Sequence, residues 1–123
     1  ALNHLAKQRV VILAGGTGNP FFTTDTGAAL RAAELSADVL MKATQVDGIY
    51  TADPKKDPTS KRYEKLTHDE AIEKRLAVMD TAAFALAREN RIPIIVFALS
   101  GQDAIKGALE GVGRSTLVTP DAI

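Results

Sequence analysis

Apolar and polar stretches alternate along the chain in a way that predicts short strands and helices in turn. "RVVILA" (Arg9 to Ala14) is a β-branched run ending at Gly15-Gly16, the pattern of a short buried strand. A polar loop follows, and "TDTGAALRAAELSA" then reads as a helix. Ala28, Ala32 and Leu35 recur there at i, i+4 and i+7 on one apolar face, with Thr24 or Asp25 as N-cap. "DVLMKA" (Asp38 to Ala43) is a second strand, and the Asp47-Gly48 step between apolar residues is a hairpin signal. The charged stretch after it carries Pro54 and Pro58 as breakers.

The second half repeats the alternation. "THDEAIEKRL" opens with Thr67 and has Glu70 three residues on, a capping box that predicts a helix. "DTAAFALAREN" predicts another, capped by Asp80, with Met79, Ala83, Leu86 and Ala87 on one side. "IPIIVFAL" is a third strand, "GQDAIKGALEG" a short helix and "STLV" a last strand. Strands alternating with helices throughout predict an α/β fold, with a largely parallel sheet covered on both faces. No repeat, low-complexity tract or linker divides residues 1–123, so they read as one unit.

Composition narrows the function classes. Fifteen basic and fifteen acidic residues cancel, so no overall positive field favours nucleic acid or an anionic membrane. An anionic ligand must be held by a local arrangement. There is no cysteine, which removes thiol catalysis, disulfides and thiolate-held metals and fits a reducing compartment. No apolar run approaches the roughly 18 residues of a membrane span, and charges interrupt the apolar part of "ALNHLAKQRVVILAGG". A cytoplasmic location is the default expectation.

The loop after the first predicted strand holds the most chemistry. A strand, two glycines, a polar loop and a helix N-terminus form the geometry that binds phosphate, because the first helical amides are unpaired. "GGTGNPFFTTD" is neither a Walker A loop nor GxGxxG, and its composition suits a ligand-binding loop or a plain surface turn equally. Thr17, Asn19, Thr23 and Thr24 offer donors for phosphate or a base edge; Phe21 and Phe22 read more readily as core. Asp25 reads as an N-cap or as an organiser of cations. Lys42, at a strand end, is either an exposed lysine or a phosphate contact. His4 and His68 have no ligand-like partners and read as surface residues.

Four blocks, "AGGTGNPFFTTD", "KATQVDGIYTADPKKDP", "VMDTAAFALAREN" and "IPIIVF", stand in an order and spacing that resembles the bacterial UMP kinases of the amino acid kinase superfamily. The resemblance covers nearly the whole chain and is weakest from Ala98 onward. It implies an amino acid kinase-like three-layer sandwich and transfer of the ATP γ-phosphoryl to UMP, giving UDP in pyrimidine nucleotide synthesis. By position, Thr17, Gly18, Asn19, Pro20, Phe21, Phe22, Thr23 and Thr24 become the UMP-binding segment, with the phenylalanines shaping its pocket. Asp25 becomes the catalytic-site aspartate. Thr44, Tyr50 and Asp53 become ATP contacts. Gln45 departs from the lysine expected in its block. Read without the family, Tyr50 is an ordinary strand aromatic and Asp53 a turn residue before Pro54.

UMP brings its own nucleophilic phosphate oxygen, so no general base is needed. Catalysis becomes positioning plus neutralisation of two polyanions, with Mg²⁺ carried on ATP rather than caged by protein carboxylates. The resemblance further implies hexamers and response to GTP and UTP. The family's "KLSGE"-like lysine loop, "GGGN"-like loop and Gly-Asp pair have no counterpart here. The chain therefore resembles the C-terminal half of such a kinase, and the expectation is little or no turnover by it alone. Another kinase of the superfamily and a non-catalytic nucleotide-binding or storage protein are the rival readings.

Overall fold

The computed structural model describes residues 1–121. Helix α1 (Leu2–Leu5) precedes α2 (Thr24–Glu34), β1 (Leu40–Thr44), β2 (Lys65–Thr67), α3 (His68–Glu73), α4 (Thr81–Glu89), β3 (Ile94–Ala98), α5 (Ala104–Glu110) and β4 (Ser115–Thr119). The strands form one sheet in the order β1-β3-β4-β2. β1 runs parallel to β3, with Leu40 opposite Ile94 and Thr44 opposite Ala98. β2 runs parallel to β4, while β3 and β4 are antiparallel. The fold is thus α/β with a mixed sheet in which two of the three pairings are parallel.

Side-chain alternation along β3 assigns the two faces. Ile94 and Val96, with Val118 of β4, are fully buried against α2 and α4, where Ala29, Ala83, Phe84 and Ala87 meet them. Alanines at these positions let the two helices approach each other and the sheet closely, and Phe84 fills the remaining volume. Its burial stabilises the fold by roughly 2–3 kcal/mol relative to exposure. Phe97 points to the opposite face, where it lines a cavity with Ala104 and Ala108 of α5.

The helix signals hold with adjustments. Thr67 and Glu70 close the capping box of α3, at 3.1 Å and 2.8 Å, and Asp80 caps α4 by accepting from the Ala83 amide at 2.9 Å. The N-cap of α2 is Thr23, whose hydroxyl accepts from the Asp25 amide; neither Thr24 nor Asp25 fills that role. The buried face of α2 carries Thr26, Gly27, Ala29 and Ala32, leaving Ala28 exposed.

Three expectations are corrected. Arg9 to Ala14 joins no strand and forms no regular element, and Val10 and Ile12 are 95% and 89% exposed. A β-branched run becomes a strand only where a neighbour takes its backbone groups, and none does among the described residues. Asp47-Gly48 is a bend, not a hairpin tip. The antiparallel contact lies beyond it, between Tyr50 and Arg62, with the Tyr63 amide donating to the Ile49 carbonyl at 2.8 Å. His68 is fully buried at the start of α3, whereas His4 is exposed as expected. The short strand β2 carried no alternating apolar signal and was not foreseen.

Candidate active site

The first turn of α2 and the C-terminal end of β1 meet where the chemistry concentrates. Asp25, in that first turn, sits where a carboxylate is favoured by the helix dipole. Lys42 projects from the middle of β1, and its Nζ lies 2.5 Å from Asp25 Oδ1. Both side chains are about a quarter exposed, at 22% and 24%, so the pair is shielded yet reachable. Lys42 is therefore not a free surface lysine. Its ammonium is oriented by a carboxylate and still has two N–H donors to offer.

Asp80 joins this pair to the core. Its carboxylate accepts from the hydroxyls of Thr23, the N-cap of α2, and Thr26 in its first turn, while capping α4. One side chain thus locks the N-termini of two helices together. Burial raises the Asp80 carboxyl, but hydrogen bonds from Thr23, Ala83 and Thr26, together with the charge of Lys42, outweigh it and hold the group below the ordinary carboxylate range. Sequence reading gave Asp80 only a capping role; its reach to Thr23 and Thr26, more than fifty positions away, has no local signal.

Lys42 also lines a cleft of about 520 Å³ together with Thr44, Tyr50 and Asp53. The structure brings these three expected ligand contacts to one surface, at the carboxyl end of a parallel strand where open α/β sheets commonly bind ligands. Thr44 is partly committed, since its hydroxyl accepts from the Val46 amide at 2.9 Å. Asp53 shapes its own turn by accepting from the Lys55 amide at 2.9 Å. The Tyr50 hydroxyl donates to Asp47 at 2.6 Å. Lys42, Lys55, Lys74 and Arg75 ring the cleft against the single carboxylate of Asp53. That balance favours a polyanion, although the chain as a whole is neutral. Lys55, Lys74 and Arg75 carried no distinguishing sequence signal.

The loop of residues 17–24 leads directly into Asp25. Thr17 and Asn19 close a local turn, with the Asn19 amide donating to Thr17 Oγ1 at 3.1 Å. Gly18, Asn19 and Pro20 are exposed, as are Thr23 and Thr24. Phe21 and Phe22 are 103% and 54% exposed, which overturns the reading of either as core. Gly27 explains how this loop sits. A Cβ there would stand 3.2 Å from the backbone of Gly16, tighter than an ordinary contact, so glycine lets the loop rest on the first turn of α2 without being pushed outward.

A second glycine shapes the cleft wall. Gly48 has φ +148°, and a Cβ would come within 2.5 Å of the Thr116 hydroxyl. That hydroxyl, fully buried in β4, accepts from the Ile49 amide at 2.8 Å and donates to the Tyr63 carbonyl at 2.5 Å. Thr116 thereby fastens the segment carrying Tyr50 to the sheet.

The model of the amino acid kinase family matches residues 1–98 of the chain. The chain belongs to that family. It is 63% identical over 120 residues to the uridylate kinase of Azorhizobium caulinodans, covering 98% of this chain and 50% of that protein. To the uridylate kinase of Sinorhizobium medicae it is 64% identical over 118 residues, or 96% of this chain and 49% of the relative. Among solved structures, the UMP kinase from Ureaplasma parvum superposes with a TM-score of 0.89 at 40% identity, over 95% of this chain and 50% of the other. The UMP kinase from Bacillus anthracis gives 0.91 at 36% identity, over 98% and 50%. The chain spans about half the length of the curated relatives it matches. Among the described residues, no helix is long and apolar enough to cross a membrane.

Proposed function

We propose that this amino acid kinase family chain supplies the ATP cleft and one acceptor loop of a UMP kinase, which transfers the ATP γ-phosphoryl to a phosphate oxygen of UMP. The observation that carries this reading is the Asp25–Lys42 pair, which ties the residue directly after the loop of residues 17–24 to a side chain lining the cleft with Thr44, Tyr50 and Asp53. A phosphoryl group passing from a nucleotide in the cleft to one under the loop would cross Lys42. The ammonium neutralises charge that develops on the transferring oxygens, and Asp25 keeps it aimed. The acceptor oxygen is already anionic, so Asp25 is an organiser and removes no proton.

In this reading Tyr50 offers a flat face to adenine, Asp53 accepts from ribose or base donors, and the cationic rim meets the triphosphate. Thr17, Asn19 and Thr24 donate to UMP, while the Thr23 hydroxyl, whose proton goes to Asp80, holds the end of the loop on α2; the exposed Phe21 and Phe22 become apolar walls when the nucleotide lies against them. Among the described residues, no three His, Asp or Glu side chains converge on one point. Mg²⁺ enters on the ATP phosphates and supplies charge neutralisation when bound. The domain assignment as a C-terminal half, a cytoplasmic location, hexamer formation and GTP or UTP response are carried by resemblance to the uridylate kinases.

Equilibrium binding of Mg·ATP, UMP and CMP to the purified chain tests the reading. Saturable ATP binding that Lys42→Met weakens, and UMP bound more tightly than CMP, is the expected result. Binding of neither nucleotide to a folded chain would overturn it.

A further inference from the structure

Tyr50 is held by a contact that the transfer reaction does not itself use. Its hydroxyl donates to Asp47 Oδ1 at 2.6 Å, and Arg114 Nε lies 2.7 Å from the other oxygen, Asp47 Oδ2. Arg114 sits in the loop between α5 and β4, so one carboxylate is gripped from the cleft on one side and from a distant segment on the other. Asp47 also lines the separate cavity of about 480 Å³ beside α5 that contains Arg114, whereas Tyr50 lines the nucleotide cleft. The backbone between them is fixed independently: Gly48 packs on Thr116, and Ile49 is buried and bonded to the same hydroxyl. With the backbone already pinned at Ile49, the bond to the phenol is left to set the direction of the Tyr50 ring.

We propose that Asp47 is a positioning residue for nucleotide binding, fixing the Tyr50 ring as one wall of the cleft, with Arg114 fixing Asp47 in turn. The inference rests on the reading of Tyr50 as a contact of ATP. A ring held at both ends binds a flat base without first losing rotational freedom, so the tether raises affinity through preorganisation. The polar ends match their roles: phenol and guanidinium donate and the carboxylate only accepts. Arg62 is the other charge close enough to act on Asp47 and Tyr50. The arrangement also couples the α5–β4 loop to the cleft, because displacing Arg114 frees the carboxylate that orients the ring.

The chain has two tyrosines and no tryptophan, so tyrosinate absorbance reads Tyr50 against Tyr63 alone. The hydrogen bond to Asp47 raises the Tyr50 phenol above its ordinary value, with burial and the Asp47 charge adding to it and Arg114 and Arg62 opposing. Two measurements on the wild-type chain, Asp47→Ala, Asp47→Asn and Tyr50→Phe decide the matter: the phenol titration and the affinity for Mg·ATP. In Asp47→Ala the Tyr50 phenol step, identified by its loss in Tyr50→Phe, moves down, and ATP binds about three- to tenfold more weakly. Tyr50→Phe shows a similar loss, and combining it with Asp47→Ala adds little further loss, because the two act through one contact. Asp47→Asn, which keeps an acceptor oxygen, recovers part of the affinity. With turnover measured in the assembled kinase, KM for ATP rises while kcat and KM for UMP hold, a split that general destabilisation would not produce. If wild-type chain binds ATP and both Asp47 variants bind it equally well, the inference is wrong. An unmoved phenol titration in Asp47→Ala also overturns it. Wild-type chain that binds no ATP defeats the nucleotide reading itself, and the inference with it.

Discussion

Lys42 and Asp25 lie seventeen positions apart and meet at 2.5 Å, and the proposed chemistry depends on that meeting. Replacing Lys42 by Met removes the charge but keeps the stem, so phosphoryl transfer in the assembled kinase should fall by about a hundredfold or more. Stability should change by only about 1 kcal/mol or less, because the pair is partly solvated. The contrast between the rate loss and an almost unchanged thermal midpoint checks both halves of this expectation. His68 makes a different prediction. It is fully buried, the Thr119 and Ile92 backbones lie beside it, and neither ring nitrogen makes a hydrogen bond of good geometry. Burial depresses its pKa; Asp69 and the neighbouring backbone groups counter only part of this, while Arg88 adds to it. The unfolded chain therefore takes up a proton that the folded chain refuses. The stability is fully present above about pH 6.5, the ordinary histidine value, and declines as pH falls below it. Denaturant midpoints between pH 7.5 and about 5, above the ordinary carboxylate range, should fall in wild-type chain and stay flat in His68→Leu. A flat wild-type profile would show that the ring charges freely in place.

The same two residues mark what a sequence can disclose at this scale. Asp25 could be singled out because its helix position and the preceding loop both restrict its role. Lys42 stayed ambiguous, because nothing local tells whether a strand lysine faces a carboxylate or water. The burial of His68 was missed for a related reason. A histidine at the first position of a helix reads as exposed until β4 and the start of β3 are known to close over it.

Elements with chemistry at their ends were legible; elements defined by partners were not. The Thr67/Glu70 box and the Asp80 cap are written within three residues each, and both form as read. β2 has only three residues, and its pairing with β4 comes from more than fifty positions away. "RVVILA" has a strand's composition without a strand's neighbour. Two substitutions test the element-level packing. Thr116→Val leaves the Ile49 amide and the Tyr63 carbonyl without their shared partner, and thermal denaturation should show a loss of about 1–3 kcal/mol. Gly27→Ala improves helix propensity by about 1 kcal/mol but sets a methyl against Gly16. Its expected outcome is weaker UMP binding with little loss of thermal stability, read by calorimetric titration beside a melting curve. Equal UMP affinity would mean that the loop need not rest on α2.

At the scale of the molecule, apolar surface is unevenly distributed. Val10, Ile12 and Phe21 are almost wholly exposed, while the α2–α4 face of the sheet is densely packed. β1 pairs with β3 on one side only, leaving its other edge open among the described residues. Exposed apolar residues and an open strand edge each favour association. Sedimentation of the isolated chain should accordingly show concentration-dependent self-association, which a separately made polypeptide matching the other half of a uridylate kinase relative reduces. The fold class and the four matching blocks were readable at this scale because α/β alternation and motif order survive in a chain about half the length of its curated relatives. The mixed sheet was not, since the direction of β4 depends on how α5 returns the chain.

The most direct test of the central claim is transfer of radiolabelled γ-phosphate from ATP to UMP by the chain combined with that complementary half, with Lys42→Met chain in parallel. Label appearing in UDP with wild-type chain, and lost by about a hundredfold with Lys42→Met, is the expected result. Label that never reaches UDP in a folded, assembled complex, or that reaches it equally well without Lys42, would contradict a phosphoryl-transfer role for the Asp25–Lys42 pair.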